Sequence, residues 1–406
     1  MKILYFSQFY TPESIAPSFR ATENSKLWKE MGHDVTVFTG YPNYPTGKIF
    51  NGYDVKLLKK EKINGVNVIR SKLIAKPNTS TVKRLENALS YFFFGVINIL
   101  FNDKEIGKQY DIVLGTSGVI FNALLAQIYA GLNHIPFVFE IRDITYIQML
   151  ATGKGEKSIS VKIMRWLELF VCKKAAKVVV VTKGFKKTLI SEGIVGHKIE
   201  VITNGVDIKK SERLHTPGKT LVLSYFGTLG ISQNILDTFE YSKVILDIIG
   251  DFKYLIIGEG AQKKEIEYYI EQRVGSFVHI LPGMSSDKLE AYYNYTQMSV
   301  ITLRKSDNFK YTIPSKLFHI MGRGIAVLFI GPDGEASEII RKYHAGIALT
   351  DTKENDLQVL KSFFSNSDWK EQLLRMGENG RKATESNYSR AKLAKYYIDV
   401  LDTVRT

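Results

Sequence analysis

The sequence predicts an α/β protein of the doubly wound type, with two parallel-sheet, Rossmann-like domains. Short β-rich runs alternate with helical stretches along the chain, and several runs are apolar throughout, as at 178–181. Uniformly apolar strands are typical of parallel sheets that helices cover on both faces. The 406 residues also exceed the roughly 150 that one domain usually holds. Ligands of such sheets bind outside the carboxyl ends of the strands, so we expect a ligand in a central cleft that both domains face.

Two series of strands define the predicted domains. The first series is Lys2–Phe6, Val35–Thr39, Val66–Arg70, Asp111–Gly115, Phe137–Glu140, Val178–Thr182 and Glu200–Ile202. The second series is Leu221–Phe226, Tyr254–Gly258, Val278–Leu281, Val300–Leu303, Ala326–Ile330 and Ile347–Leu349, with helical patterns between its members. The polar segment Lys209–Lys219, which contains Pro217 and Gly218, separates the two series and is the predicted hinge.

The net charge of +14 indicates an anionic partner: nucleic acid, an anionic membrane or a phosphate-bearing small molecule. Ten basic and two acidic residues lie between Lys48 and Arg84, which gives this tract a net charge of +8. The next segment, 85–102, is apolar and aromatic with the single charge Glu86, which suits an interfacial or a buried helix better than a membrane span. An anionic inner-leaflet contact through 48–102 and a lysine-rich surface beside a core helix are equal alternatives.

Targeting and redox signals favour a cytoplasmic protein. The single cysteine, Cys172, excludes an internal disulfide and has the apolar neighbours of a buried residue. The N-terminus reaches Ser7 too early for the apolar core of a signal peptide. The expected localisation is therefore cytoplasmic, peripheral on the inner face of the plasma membrane. The histidines are scattered and no Asp-x-Asp occurs, so no metal site is expected.

Charged residues follow the strand Phe137–Glu140. Glu140, Arg142 and Asp143 lie within four residues, and such charges cost desolvation free energy unless they are paired or functional. We interpret Glu140 as a structural partner of Arg142, and Asp143 as a carboxylate that faces the cleft. After the first strand, Arg20 lies one turn into the helix predicted from residue 18 or 19, where binding an anion and a surface salt bridge are equal alternatives.

Two segments of the second domain predict a phosphate site. Gly227-Thr228-Leu229-Gly230 follows a strand and precedes a helix predicted from about Ser232, an arrangement typical of phosphate loops. In the second segment, Ser315 is suited to cap a helix whose first turn contains Lys316. The helix dipole disfavours a cation there, and a bound diphosphate would compensate; the alternative is an exposed lysine that bears a small energetic penalty.

These motifs, in this order, resemble the GT-B glycosyltransferases of family 4, and most closely the WbuB-like branch of O-antigen and capsule N-acetyl-L-fucosamine transferases. The resemblance covers essentially the whole chain. It rests on Tyr10–Glu13 with Ala16–Pro17, Gly32–Val37, Arg142–Asp143, Val179–Lys183, Asn204–Asp207, Gly227–Gly230, Ile257–Gly260, Pro314–Phe318 and Gly334–Glu335.

The resemblance implies a division of labour between the domains. Domain 1–208 would receive the acceptor, domain 209–385 would bind a nucleoside-diphosphate sugar, often UDP-linked, and the final helix, 386–406, would cross back to the first domain. It implies transfer with retention of anomeric configuration, without a metal and without a cofactor besides the nucleotide-sugar co-substrate.

The resemblance also assigns site residues. The donor-binding set is Gly227, Thr228, Pro282, Gly283, Met284, Ser315, Lys316, Leu317, His319 and Glu335, and the acceptor-binding set is Ala16, Arg20 and Arg142. Lys316 would stabilise the leaving diphosphate. Glu13 and Asp143 would be the carboxylates near the anomeric carbon and the acceptor hydroxyl, with Asp143 either a base or a group that only orients the acceptor.

Two departures from the family pattern concern the donor. Tyr311 and His319 occupy the positions of the usual paired glutamates, the second of which is expected to hold the ribose; a neutral histidine can also accept a hydrogen bond from a hydroxyl. After the glycine loop, 231–235 lacks the usual Arg and Lys, so more of the diphosphate charge would fall on Lys316, with Arg304 or Lys305 as helpers.

The expected function is transfer of a sugar, with an N-acetylated deoxysugar as one candidate, to a lipid-linked, undecaprenyl diphosphate-bound sugar in O-antigen or capsule synthesis. The alternative is a nucleotide-sugar 2-epimerase of the same two-domain fold, which would need additional acid–base residues in the cleft. A nucleic-acid binder is disfavoured because no aromatic and basic recognition motif occurs.

Overall fold

The computed structural model describes residues 1–151, 153–208 and 220–405, so the predicted hinge at 209–219 lies outside the described residues. The chain divides into two compact parts. We call Met1–Thr203 with Ala394–Thr406 the first unit, and Asn204–Leu393 the second unit. The assignment of the acceptor to one domain and the donor to the other stays a prediction.

The first unit is built on an eight-stranded sheet. Its strands are β1 (Lys2–Phe6), β2 (Asp34–Gly40), β3 (Leu58–Ile63), β4 (Val66–Ser71), β5 (Ile112–Thr116), β6 (Phe137–Ile141), β7 (Lys177–Val180) and β8 (Ile199–Val201). The spatial order is β3-β4-β2-β1-β5-β6-β7-β8, and all neighbours pair in parallel except β3 and β4. Each strand predicted for this half of the chain is present.

Strand β3 is the element of this sheet that the sequence does not predict. It reads Leu-Lys-Lys-Glu-Lys-Ile and pairs antiparallel with β4 at the sheet edge. An antiparallel edge strand can leave one face in water, so it needs no continuous apolar run. The apolar pattern that reveals the inner strands is therefore missing from it.

Helices cover both faces of the sheet. They are α1 (Ala16–Glu30), α2 (Thr81–Phe101), α3 (Asp103–Ile106), α4 (Ile120–Asn133), α5 (Thr145–Ala151), α6 (Ile159–Lys174) and α7 (Lys183–Ser191). Helix α4 contacts both α2 and α6. One side of α2 is buried and the other exposes apolar side chains, and none of the helices in the described residues has the length and apolarity to cross a membrane.

The second unit repeats the doubly wound plan on a smaller scale. Its strands are β9 (Leu221–Phe226), β10 (Phe252–Ile257), β11 (Val278–Leu281), β12 (Met298–Thr302), β13 (Ala326–Ile330) and β14 (Gly346–Leu349). They form a six-stranded, parallel sheet in the order β11-β10-β9-β12-β13-β14. Each strand predicted for this half is present.

The helices of the second unit follow its strands along the chain. They are α8 (Thr238–Ile249), α9 (Lys263–Tyr269), α10 (Ser286–Tyr295), α11 (Lys316–Gly322), α12 (Glu335–Lys342), α13 (Lys353–Phe364) and α14 (Trp369–Ala383). The last helix, α15 (Arg390–Asp402), joins the first unit from Ala394 onward. There the indole of Trp28 donates a hydrogen bond of 3.2 Å to the carbonyl of Ala394 and packs against Tyr397.

Candidate active site

Glycines lock together the two loops that follow β9 and β10. A Cβ atom on Gly258 would lie 1.8 Å from the carbonyl oxygen of Gly227, and one on Gly260 would lie 2.2 Å from that of Leu229. The backbone amides of Gly227 and Leu229 donate to the carbonyls of Ile257 and Glu259 at 3.0 and 2.9 Å. The predicted phosphate loop is therefore held by close backbone contact that only glycine permits.

Lys316 reaches this loop from the start of α11. Its ammonium group donates to the Tyr225 hydroxyl at 2.9 Å and lies 4.1 Å from the centre of the Tyr225 ring. A Cβ atom on Gly227 would lie 3.0 Å from the same ammonium nitrogen. Burial lowers the pKa of Lys316 to about 8. A partly desolvated cation beside a backbone loop, stabilised by an aromatic ring, is suited to bind an anion.

Tyr225 is a site residue that the sequence analysis missed. It lies on the buried strand β9, its hydroxyl donates to the carbonyl of Thr228 at 2.6 Å, and the same hydroxyl accepts from Lys316. Tyr225 thus connects the glycine loop to the lysine. A tyrosine inside an apolar strand looks like an ordinary core residue, so only the position of its hydroxyl reveals this link.

Two expectations for the helix starts of this site are wrong. No regular helix begins near Ser232: two short 3₁₀ turns follow the glycine loop, and α8 starts at Thr238. Asn234 between those turns has a left-handed backbone, with φ of 46°, which interrupts a continuous helix. At α11, Ser315 has helical backbone angles and its side chain caps no amide, because a capping residue needs an extended backbone.

His319 and Leu317 lie one turn or less from Lys316 and have different surroundings. Burial, followed by the charge of Arg323, lowers the pKa of His319 to about 4, so its imidazole is neutral at pH 7. Leu317 is fully buried in the apolar cluster beneath the loops. Its amide donates to the carbonyl of Pro314 at 2.9 Å, and its assignment to the donor-binding set stays a prediction.

The remaining predicted donor residues lie at strand ends of the same sheet. The amide of Gly283 donates to the carboxylate of Glu259 at 3.1 Å, and Pro282 and Met284 flank it after β11. Thr228 is exposed. Glu335 is nearly buried at the start of α12, where its amide donates to the carbonyl of Lys310 at 2.9 Å.

Glu13, in the first unit, holds the loop that follows β2. One carboxylate oxygen accepts the backbone amides of Asn43 and Tyr44, each at 2.9 Å, and the side chain is buried. Burial raises the pKa of Glu13 to about 7. These contacts give Glu13 a structural role, and its role near the anomeric carbon stays a prediction.

Arg20, Glu140 and Tyr5 form a buried network. The guanidinium of Arg20 pairs with Glu140 at 2.8 Å, and the Tyr5 hydroxyl donates to the other oxygen of Glu140 at 3.0 Å. Burial alone would raise the pKa of Glu140, but the positive charges of Arg20 and Arg142 outweigh burial and lower it. Arg20 thus forms an ion pair, one of the two alternatives left open by the sequence, although the pair is buried; its assignment to the acceptor stays a prediction. Glu140 forms this ion pair with Arg20, and the charge of Arg142 also acts on it.

Arg142 and Asp143 follow this network at the end of β6. Arg142 donates to the carbonyl of Ala16 at 3.2 Å, so these two predicted acceptor residues are in contact. Asp143 is exposed when the whole residue is counted, but protein surrounds much of its carboxyl group. This burial raises the pKa of Asp143, although the positive charge of Arg142 opposes the rise. Among the described residues, no group of three His, Cys, Asp or Glu side chains could hold a metal ion.

Comparisons with known proteins concern the family and the fold of the chain. Residues 20–210 match the family model described as Glycosyltransferase Family 4. The chain is 22% identical over 339 residues to the putative colanic acid biosynthesis glycosyl transferase WcaI of Escherichia coli strain K12, covering 80% of this chain and 82% of that one.

Solved structures resemble the chain over nearly its whole length. Sucrose-phosphate synthase of Thermosynechococcus elongatus has a TM-score of 0.69 at 12% identity, covering 99% of both chains. HepE of Anabaena in complex with UDP has a TM-score of 0.68 at 13% identity, covering 99% of this chain and 100% of that one. The lipopolysaccharide outer core galactosyltransferase WaaB has a TM-score of 0.61 at 13% identity, covering 99% of both.

These likenesses identify the fold, and the family match and the curated relative identify the reaction class. The chain is a glycosyltransferase with the GT-B fold, and its residues 20–210 match the model of Glycosyltransferase Family 4.

Proposed function

We propose that the enzyme transfers a sugar from a nucleoside-diphosphate sugar, with UDP as the preferred nucleotide, to a lipid-linked sugar during synthesis of a surface polysaccharide of the O-antigen or capsule type. The observation that carries the donor half is Lys316, whose ammonium group lies beside Gly227 and on the Tyr225 ring. HepE, a structural neighbour, is described in complexes with UDP, with UDP and glucose, and with UDP-glucose. The curated relative is named for colanic acid biosynthesis.

The proposed chemistry needs positive charge at the leaving group. Negative charge develops on the diphosphate as the glycosidic bond breaks, and a fixed cation in a partly desolvated site stabilises it strongly. With a pKa of about 8, Lys316 is mostly protonated at pH 7, and a bound diphosphate would favour the protonated form further. We infer a metal-independent, retaining transfer on this basis and on the family resemblance.

Asp143 and His319 would contact the acceptor and the nucleotide, respectively. Of the two carboxylates at the end of β6, Glu140 is buried and Asp143 is exposed. Asp143 would accept the proton of the acceptor hydroxyl or orient that hydroxyl. His319, neutral at pH 7, would hydrogen-bond the ribose hydroxyls in place of the usual glutamate. An N-acetylated deoxysugar, as in the WbuB-like branch, is the sugar we would test first.

We further propose that the first unit binds the inner leaflet of the plasma membrane. Helix α2 exposes Leu85, Leu89 and Phe93 along one side, at 45–60% of their accessible surface. Their spacing of four residues aligns them on one helical stripe. The tract 48–84, with its net charge of +8, precedes this stripe, and lysine or arginine near anionic lipid contributes roughly 1 kcal/mol per residue.

A screen with UDP-, GDP- and CMP-linked sugars tests the donor half. We expect UDP release from at least one UDP-sugar, increased by a lipid-linked acceptor, with sugar incorporated into the lipid fraction. Lys316→Ala enzyme purified in parallel controls for contaminating hydrolases. If no nucleotide sugar binds or reacts, the proposed function fails, and if only an epimerised nucleotide sugar forms, the epimerase alternative replaces it.

Liposome flotation tests the membrane half. We expect wild-type protein to float with vesicles containing anionic phosphatidylglycerol and to remain at the bottom with neutral phosphatidylcholine vesicles or in high salt. The variant with Lys56, Lys59, Lys60 and Lys62 changed to Gln should bind the anionic vesicles at least fivefold more weakly. Equal flotation of this variant and the wild type would refute the proposed contact.

A further inference from the structure

Helix α6 of the first unit exposes an apolar stripe that has no part in the sites described above. Ile159, Ile163 and Trp166 lie along this stripe, with 75%, 52% and 63% of their surface exposed. Their spacing of four and three residues places them on one side of the helix. Phe170, one turn further, continues the line, and its ring stacks on the Trp166 indole with centres 5.7 Å apart. We call these four residues the α6 stripe.

The opposite side of α6 is buried, so the α6 stripe points away from the core. Val161, Val171 and Cys172 pack in the apolar core of the unit. Glu168 also faces inward: it is 2% exposed, and its carboxylate accepts the backbone amide of Thr145 at 2.9 Å. Because Glu168 is the only acidic residue of α6, the outer side of this helix carries no negative charge.

Positive charges flank the α6 stripe. At about 100° per residue, Lys162 and Lys173 lie on one side of the stripe and Lys174 lies on the other. All three lysines are exposed, and the ammonium group of Lys174 lies 6.0 Å from the centre of the Phe170 ring. Six basic and two acidic residues occur in 154–174, which gives this segment a net charge of +4.

Helices α2, α4 and α6 cover the same face of the sheet. The chain crosses the sheet in one direction from β4 to β5, β6 and β7, and right-handed crossovers put the intervening helices on one face. Helix α4 contacts both α2 and α6. Leu85, Leu89 and Phe93 of α2 therefore point away from the same face as the α6 stripe. Neighbouring helices pack about 10 Å apart, so the two stripes are separated by roughly 20 Å.

The intervening helix, α4, is uncharged. Its 14 residues include no Asp, Glu, Lys, Arg or His. On its outer side, Leu124 and Ile128 are partly exposed, and Leu132 is 57% exposed. All three helices thus present apolar side chains on this face. An apolar surface of this extent, bordered by charged residues, is typical of a contact with a membrane or with another protein.

The charges favour a membrane over another protein. Protein–protein interfaces are depleted of lysine. A second copy laid stripe against stripe would bring Lys162, Lys173 and Lys174 close to the same lysines, which repel them. In an anionic bilayer, by contrast, tryptophan lies at the level of the head groups, and lysine stems extend over apolar surface while their ammonium groups reach the lipid phosphates. Trp166, at the centre of the stripe, suits this environment.

We propose that α6 is a second membrane-binding helix of the first unit. Ile159, Ile163 and Trp166 insert into the head-group region of an anionic bilayer, and the flanking lysines contact lipid phosphates. Contact along one helix would leave the unit able to rotate about that helix, whereas contact along α2 and α6 fixes its orientation on the membrane. The proposal rests on the membrane half of the proposed function and adds a second helix to that contact.

The intrinsic fluorescence of Trp166 tests the contact directly. Of the three tryptophans in the chain, Trp28 is fully buried and Trp369 lies, partly buried, in the second unit. Phosphatidylglycerol vesicles whose acyl chains carry bromine, a contact quencher of indole, should quench the wild-type emission and shift it to shorter wavelength. Trp166→Phe should lose both effects and still float with the vesicles, because phenylalanine keeps the stripe apolar. Equal quenching of Trp166→Phe and the wild type would overturn the proposal.

A charge placed in the stripe tests how much α6 contributes to binding. Ile163→Glu should weaken binding to phosphatidylglycerol vesicles roughly tenfold, as expected when one apolar side chain no longer inserts. Val359→Glu is the matched control, on α13 of the second unit, because Val359 is 47% exposed and Ile163 is 52% exposed. The control should bind like the wild type. Equal binding by Ile163→Glu and the wild type would overturn the proposal.

Flotation, quenching and sedimentation separate the possible outcomes. Wild-type protein that floats without quenching of Trp166 would overturn the α6 contact and leave the α2 contact intact. Protein that does not float would overturn both contacts, whereas the nucleotide-sugar screen decides the donor half independently. In sedimentation velocity without lipid, the wild type should behave like Ile163→Glu. A dimer that Ile163→Glu abolishes would overturn the lipid contact in favour of a second copy.

Discussion

The two units position their candidate functional groups by different physical means. In the second unit, glycines allow backbone to touch backbone, and one cation lies on an aromatic ring above the contact. In the first unit, side chains do the positioning: Glu13 holds a loop, and Arg20 pairs with Glu140. Backbone contacts do not titrate, whereas the side-chain networks include groups that do. Changes in protonation should therefore affect the stability of the first unit more.

The largest effect is expected at Lys316, which tests whether one cation dominates the second unit's site. Lys316→Ala should lower kcat for donor hydrolysis by roughly 10²–10³-fold, as loss of a group that stabilises developing negative charge does. The melting temperature should not fall, because burial of the Lys316 ammonium group costs desolvation free energy and the substitution removes this cost. Steady-state kinetics and calorimetry measure the two effects, with exposed Lys361→Ala as the control. Near wild-type kcat in Lys316→Ala would contradict the assigned role.

Gly258 tests the contact between the glycine loops. Gly258→Ala sets a Cβ 1.8 Å from the carbonyl oxygen of Gly227 and should destabilise the second unit by about 3 kcal/mol or displace the loop. Gly131→Ala in α4 is the matched control: a Cβ there meets nothing within 4 Å, so helix propensity should stabilise it by about 0.5–1 kcal/mol. Calorimetric unfolding of both variants measures the difference, and a neutral Gly258→Ala would show that the contact is not tight.

Glu13 tests whether the first unit responds to pH. Its pKa rises from 4.5 to about 7 on folding, so its protonated form stabilises the fold below about pH 4.5, and this contribution is lost as the pH rises through about 7. Glu13→Gln keeps an oxygen for the two amides and has no charge to bury. The variant should gain about 1–3 kcal/mol over the wild type between pH 4.5 and 8.

Urea unfolding at a series of pH values measures this gain. Glu30→Gln, an exposed position on α1, is the control and should show no such trend. A constant stability difference between Glu13→Gln and the wild type across this range would rule out a buried, titrating Glu13.

The smallest effect concerns helix caps. The Thr182 side chain accepts the amide of Phe185 at 3.1 Å at the start of α7, whereas Ser315 caps nothing at the start of α11. Thr182→Ala should therefore cost about 1 kcal/mol, and Ser315→Ala less than about 0.5 kcal/mol. Thermal unfolding compares them, and equal losses would mean that Ser315 caps its helix in solution.

The strand pattern could be predicted from the sequence because an inner parallel strand must be apolar on both faces. The pattern fails for β3, which has one open edge, and for the start of α8, where the backbone of Asn234 is left-handed. Neither exception changes the pattern of apolar residues, because β3 lies at the sheet edge and the start of α8 is set by the backbone conformation of one residue.

Only those parts of the site that lie in short sequence motifs could be predicted. Lys316 and the glycine loop follow from short segments, and the structure brings them together. Glu140 forms its ion pair with Arg20, 120 residues away in sequence, and charge proximity along the chain, which indicated Arg142, could not reveal that contact. Tyr225 was missed for the same reason: its hydroxyl contacts Lys316, 91 residues away in sequence.

The edge strand β3 has a consequence for solubility. Among the described residues, no strand lies beside its outer backbone groups, and an open edge of this kind can pair with the edge of another molecule. Lys60 and Lys62 are exposed on β3, and Lys59 precedes them on the same strand. A second copy approaching edge to edge would bring like charges together, so lysines of the proposed membrane contact also protect the free protein from intermolecular β-pairing.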